Sequence, residues 1–169
     1  MNKILSEKEY QRFIIDKLVA ENGYIERKNV KFDRKFAIDR EMLFKFLDDT
    51  QPEAMAQIRK VYKGSTEDTV VNFINTEITK AKSSLLSVLK HGVEIAGYKL
   101  DLMYTKPATT FNKDLLLKYN KNIFSVMEEV WASDTERIDL VVFLNGFAIM
   151  SFELKCNFAG QSYQDAILQ

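Results

Sequence analysis

The chain has 169 residues, 46% of them hydrophobic and 12% aromatic, a globular composition whose length suits one domain with a sizeable core. Its 24 Lys and Arg against 24 Asp and Glu leave no formal net charge, which argues against a self-sufficient DNA-binding module, because such affinity comes largely from neutralising phosphates. Cys156 is the single cysteine, so no internal disulfide forms, and no stretch approaches the ~20 apolar residues of a membrane helix.

The opening MNKILSEKEYQ lacks the apolar core of a signal peptide, and with the lone cysteine it makes the cytoplasm the expected location. Ser6-Glu7-Lys8-Glu9 reads as a capping box, and Tyr10, Phe13, Ile14 and Leu18 follow at helical spacing until Asn22-Gly23. A second helix is expected from Asp39 to about Asp49, and Thr50-Gln51-Pro52 ends it and starts a third through Met55, Ile58 and Val61. Val70, Phe73, Ile74, Ile78, Ala81, Leu85 and Leu89 predict one long helix from Ser65-Thr66 to Lys90, closed by Gly92. His91, the single histidine, falls at its end, where a cationic or hydrogen-bonding role suits the helix dipole.

After Gly92 the period changes to two. Tyr98, Leu100, Leu102 and Tyr104 alternate with Lys99, Asp101 and Met103, a half-buried strand with Asp101 outward. A loop with a short helix near Leu115–Tyr119 follows Pro107, and strands are expected at Phe124–Trp131, Ile138–Leu144 and Phe147–Leu154. Asn145-Gly146 between the last two is a hairpin signal, and Tyr163–Gln169 begins a helix. Trp131 and the other aromatic residues read as core, and the lysines around 28–35 and 80–90 as solvated faces. No repeat or linker interrupts the chain, so residues 1–169 read as a single domain.

The chemistry concentrates in RIDLVVFLNGFAIMSFELK, residues 137–155. Glu153 and Lys155, one residue apart, share a face if they lie on a strand. With Asp139 they offer two hard oxygen ligands and an ammonium, the set that Mg²⁺-assisted phosphodiester cleavage uses. The bland alternative is an exposed Glu–Lys edge pair on an ordinary hairpin, with Asp139 a strand-end residue. Parity separates the two. A flush two-residue turn at Asn145-Gly146 opposes Asp139 to Phe152 and sends Glu153 to the other side of the sheet. A shared site therefore requires a three-residue loop, with Gly146 left-handed, or a bulge within one strand.

Asp139 at a strand start followed by Glu153-Leu154-Lys155 on the next strand resembles the PD-(D/E)XK nuclease superfamily, with Ile138-Asp139 standing for Pro-Asp. The blocks at 92–112, 119–133, 137–155 and 157–169, and the opening YQRFIIDKLVAENGY, resemble the N-terminal region of type I restriction enzyme R subunits. The resemblance implies an α/β (α+β-like) fold: a restriction-endonuclease-like mixed sheet flanked by helices, with an N-terminal helical part. It implies Asp139 and Glu153 as Mg²⁺ ligands, the Leu154 carbonyl as a further ligand, and Lys155 as the catalytic lysine. Gln169 matches the glutamine of a supporting Q-x-x-x-Y-like motif. Relatives carry a first-helix glutamate near the metal; Gln11 occupies that place, and Glu7 stands one turn earlier. Partners implied are double-stranded DNA and the methyltransferase and specificity subunits of a restriction complex. ATP belongs to motor domains whose G-x-x-x-x-G-K-[ST] loop does not occur here, so the chain reads as a fragment ending inside its last helix and before a later core strand. A restriction-like domain that binds DNA or a partner without cutting is the competing expectation.

Overall fold

The computed structural model describes residues 6–80, 83–109 and 111–155. Helix α1 (Glu7–Asn22) opens on the capping box, with Ser6 Oγ accepting from Glu9 N and the Glu9 carboxylate accepting from Ser6 N, and closes on left-handed Gly23. Helix α2 (Arg40–Thr50) is capped by Asp39, and α3 (Pro52–Tyr62) starts with proline in its first turn. The long helix expected up to Lys90 is instead two: α4 (Thr66–Thr79) and α5 (Leu85–His91). Lys80 is already extended, and the Ser84 hydroxyl accepts from Ser87 N to nucleate α5, a local bond that competes with helix continuation. Ala81 of the predicted stripe lies outside the described residues.

Strand β4 (Val93–Ile95) pairs with β5 (Tyr98–Leu100) as an isolated ribbon. It packs on α2–α5 through a core that includes Phe46, Leu47, Ile58, Ile74, Leu89 and Leu100. Gln51, between α2 and α3, brackets the Asp101 backbone, its amide nitrogen donating to Asp101 O at 2.8 Å and its oxygen accepting from Asp101 N at 2.7 Å. Helix α6 (Lys113–Tyr119) falls where a short helix was expected.

The larger sheet has the order β1-β6-β7-β8-β3-β2. Its centre is β6 (Phe124–Trp131), β7 (Arg137–Leu144) and β8 (Phe147–Phe152), antiparallel throughout. Helices therefore do not simply precede strands. Short strands β1 (Ile25–Arg27), parallel to β6, and β2 (Phe32–Asp33) with β3 (Ile38–Asp39) supply the edges from the N-terminal part. Two or three residues carry no period-two signal, so their sequence gave no strand pattern to read. Helix α1 covers one sheet face through Ile15 against Val126, Leu140, Val142 and Leu154. Phe143, Met127, Val130 and Val141 form a separate cluster. Trp131, expected in the core, is half exposed at the end of β6.

Candidate metal centre

The site depends on how β8 meets β7. Leu144 opposes Phe147 and Phe143 opposes Ala148, so Asn145 and Gly146 make a two-residue turn, with φ of 50° and 85°, the left-handed pair of a type I′ turn. The three-residue loop offered as one solution is therefore not used. The other solution is: Val142 opposes Met150 and Leu140 opposes Phe152, which leaves Ile149 as an extra residue in β8. Below that bulge the pairing has shifted by one, and Glu153 falls level with Asp139.

Asp139 is almost wholly buried, and its Oδ2 accepts the Leu154 N–H at 2.7 Å. That bond explains why β8 stops at Phe152 and does not reach Leu154, because the amide that would extend the strand is taken by a side chain. Glu153, Leu154 and Lys155 thus follow the strand directly. Leu154 is buried beside Ile15 and Leu140, which fixes the segment between an exposed Glu153 and a half-buried Lys155. Partial burial pushes the Glu153 carboxyl above the usual carboxylate range. The negative charge of Asp139 adds to this, the Lys155 ammonium opposes it, and a hydrogen bond with Asp139 and the charge of Glu7 raise it further. Asp139, Lys155 and Glu7, the first residue of α1, thus all act on the Glu153 carboxyl. Of the first-helix candidates, Glu7 is the one whose charge reaches the pair.

Gln11, one turn on, is buried and differently engaged. Its amide nitrogen contacts the carboxylates of Glu128 at 3.2 Å and Glu129 at 3.4 Å. Consecutive strand residues normally point to opposite faces, but Glu129 has a φ of 54°, and both side chains reach the same amide. Arg137 closes on Glu129 at 2.6 Å, and the Asn29 amide donates to its carbonyl at 2.9 Å. The ladder pairs Glu128 with Leu140 and Val130 with Ile138, so Glu129 lies at the level of Asp139. Sequence reasoning passed over these two acids. The only available signal was a pair of charged residues in an otherwise apolar strand.

The donors at the centre suit a hard cation: the carboxylates of Asp139 and Glu153, with the negative charge of Asp139 disfavouring ionisation of Glu153, beside the main-chain segment at Leu154. Among the described residues no group of three His, Cys, Asp or Glu is arranged to hold a metal. A Mg²⁺ ion, which takes one or two carboxylates and completes its shell with water, fits such a pair. Gln169 and Cys156 lie outside the described residues, as does the helix expected from Tyr163.

Against models of known families, residues 4–169 match one, the type I restriction enzyme R protein N terminus. No curated protein and no solved structure matches the chain. No helix among the described residues is long and apolar enough to cross a membrane.

Proposed function

Since this chain belongs to the type I restriction enzyme R protein N-terminal family, and so to a restriction system, we propose that it carries the system's DNA-cutting centre. The reaction is Mg²⁺-dependent hydrolysis of a DNA phosphodiester. Asp139 and Glu153 hold the ion, the Leu154 carbonyl is a further ligand, and Lys155 is the catalytic lysine. The observation that carries this reading is the Ile149 bulge, which brings Glu153 level with Asp139 where a flush hairpin would separate them.

Mg²⁺, when bound, supplies Lewis-acid stabilisation of phosphate charge and an acidified water. Asp139 accepts from Leu154 N and so fixes the chain on which Glu153 and Lys155 follow. Glu153 faces Asp139 with a carboxyl reluctant to ionise, and a divalent cation removes that reluctance. Lys155, already acting on Glu153, would orient the attacking water and balance charge on the scissile phosphate. Glu7 supports the pair from α1. The substrate is double-stranded DNA, delivered by ATP-driven translocation in the full subunit assembled with methyltransferase and specificity subunits.

The test is a crystal soak in Mn²⁺ together with cleavage by the assembled enzyme. An anomalous peak within about 2.0–2.4 Å of both carboxylates is expected. Asp139→Ala, Glu153→Ala and Lys155→Ala should each lower DNA cleavage at least about 100-fold with ATP hydrolysis retained. Cleavage that survives all three substitutions would leave a domain that binds DNA or a partner without cutting.

A further inference from the structure

We propose that Glu129 is a positioning residue for Asp139: its left-handed backbone makes β6 and β7 change face at that level, so that Asp139 presents its carboxylate on the side that α1 covers. The inference rests on the reading of Asp139 and Glu153 as one site, and assigns the device that aims the first of them.

Side chains on a strand alternate between faces, and both central strands break that rule at one level. In β6, Val126 packs under α1 with Ile15, while Met127 belongs to the opposite cluster. Alternation puts Glu128 and Val130 back on the α1 side. Glu128 does meet Gln11 of α1, but Val130 falls in the cluster of Met127. In β7, Leu140 and Val142 lie under α1, with Val141 and Phe143 on the far side. Ile138, which alternation places with Leu140, instead packs against the far cluster. The two changes of face coincide. The ladder pairs Glu128 with Leu140 and Val130 with Ile138, and skips the rung between them, Glu129 opposite Asp139. A regular β7 would send Asp139 to the far side with Val141. With the change of face it joins Leu140 on the α1 side, where its Oδ2 accepts from the N–H of Leu154, itself packed with Ile15.

The cause lies in β6. Glu129, with a φ of 54°, is the one left-handed residue inside either strand, and three elements hold it there. Asn29, between β1 and β2, donates to its carbonyl at 2.9 Å, Arg137 of β7 closes on its carboxylate at 2.6 Å, and the Gln11 amide of α1 contacts that carboxylate at 3.4 Å. β7 has no left-handed residue of its own, so its change of face follows that of β6.

Substitution of Glu129 in the full-length protein separates this role from an ordinary place in a strand. Mid-strand, valine is favoured and glycine costs stability. Where left-handed backbone is what matters the order reverses, because glycine enters that region freely and a β-branched residue does not. Glu129→Gly, Glu129→Asn and Glu129→Val are compared by Mn²⁺ affinity and by hydrogen exchange at the Leu154 amide, which reports the bond to Asp139 without any metal. Glu129→Gly and Glu129→Asn should keep Mn²⁺ affinity within about threefold of the parent, since both residues tolerate the conformation. Glu129→Val should lose at least about fivefold, with faster Leu154 exchange, because that conformation opposes a β-branched side chain. Should Glu129→Val not fold, Glu129→Ala takes its place, since it lacks the carboxylate as Glu129→Gly does and differs by the Cβ alone. Glu129→Val or Glu129→Ala performing as well as Glu129→Gly, or no variant departing from the parent, overturns the inference. Leu154 exchange in the expected order, in a protein whose parent binds no Mn²⁺, would instead sink the metal reading and leave the positioning role standing.

Discussion

At the scale of single residues, the proposed metal-holding role of the carboxylate pair opposes stability. Glu153 titrates above its ordinary value because of partial burial and then Asp139. Its contribution is thus fully present below the unfolded value near 4.5 and is lost as pH rises through the folded one. At neutral pH an ionised Glu153 costs folding free energy, so Glu153→Gln should raise the thermal midpoint of the metal-free protein while lowering Mn²⁺ affinity at least about tenfold. A melt with and without Mn²⁺ checks both halves, and a lowered midpoint in the metal-free variant contradicts the coupling. Glu41 has the opposite sign. Hydrogen bonds from Arg27, then Lys31, hold its carboxyl down to about 2. Its stabilisation is present above about 4.5 and disappears as pH falls toward 2. Glu41→Gln should flatten the acid limb of the stability curve, as equilibrium denaturation between pH 2 and 5 would reveal. Asp39, beneath it, is fully buried against Arg27 at 2.8 Å and caps α2. Asp39→Ala leaves a mostly buried guanidinium without that partner and should cost about 3–5 kcal/mol, read as a shift in denaturant midpoint.

At the scale of elements, the Asn145-Gly146 turn shows what can be read from sequence and what cannot. The dipeptide announces a hairpin because both residues tolerate positive φ, and the parity of Asp139 and Glu153 then demands an extra residue somewhere. Its position at Ile149 was not legible, since it follows from Asp39, Leu43, Ile123 and Leu102 closing on the turn, contacts made over 22 to 43 residues for the Asn145 side-chain bonds to Ile123 and Leu102. The same distinction holds elsewhere. The Ser6 capping box, the Asp39 cap and Pro52 are local signals, and the helices start where those signals lie. The break after Thr79 escaped because the apolar stripe continues through it at the right spacing, and the Ser84 hydroxyl that caps α5 is a weak local signal beside it. Gln11 was recognised as a departure, but Glu128 and Glu129 were not, because a left-handed Glu129 is dictated by neighbours and not by its own type. The turn's role predicts that Gly146→Ala costs at least about 2 kcal/mol through backbone strain and contact with Asp39. Asn145→Ala, which strands several buried backbone and side-chain groups, should cost about 3 kcal/mol. Hydrogen exchange at Ile123 and Phe147 would report whether the loss is confined to the turn or spreads down the hairpin.

At the scale of the whole molecule, charge bears on how the proposed centre would meet DNA. The chain carries equal numbers of acidic and basic residues, and many of the cations are already engaged: Arg12 with Glu26 and Asp16, Arg40 with Asp33 and Asp68, Arg59 with Asp48, Arg34 with Asp134. Duplex DNA is bound non-specifically by releasing counterions, one for each phosphate neutralised, and a surface whose arginines are paired releases few. The 169-residue chain should therefore bind duplex DNA more weakly than about 100 µM at 150 mM salt, with a shallow salt dependence, for every sequence tried. The assembled enzyme should show the steep salt slope that this chain lacks, because its other parts would hold the duplex. Fluorescence anisotropy on one labelled duplex across 50–200 mM salt, with the isolated chain and with the complex, measures both slopes. A steep slope for the isolated chain would mean that the lysines around 28–35 and 80–90 form a DNA channel of their own, and delivery by the rest of the complex would no longer be needed to explain how a neutral domain reaches its phosphate.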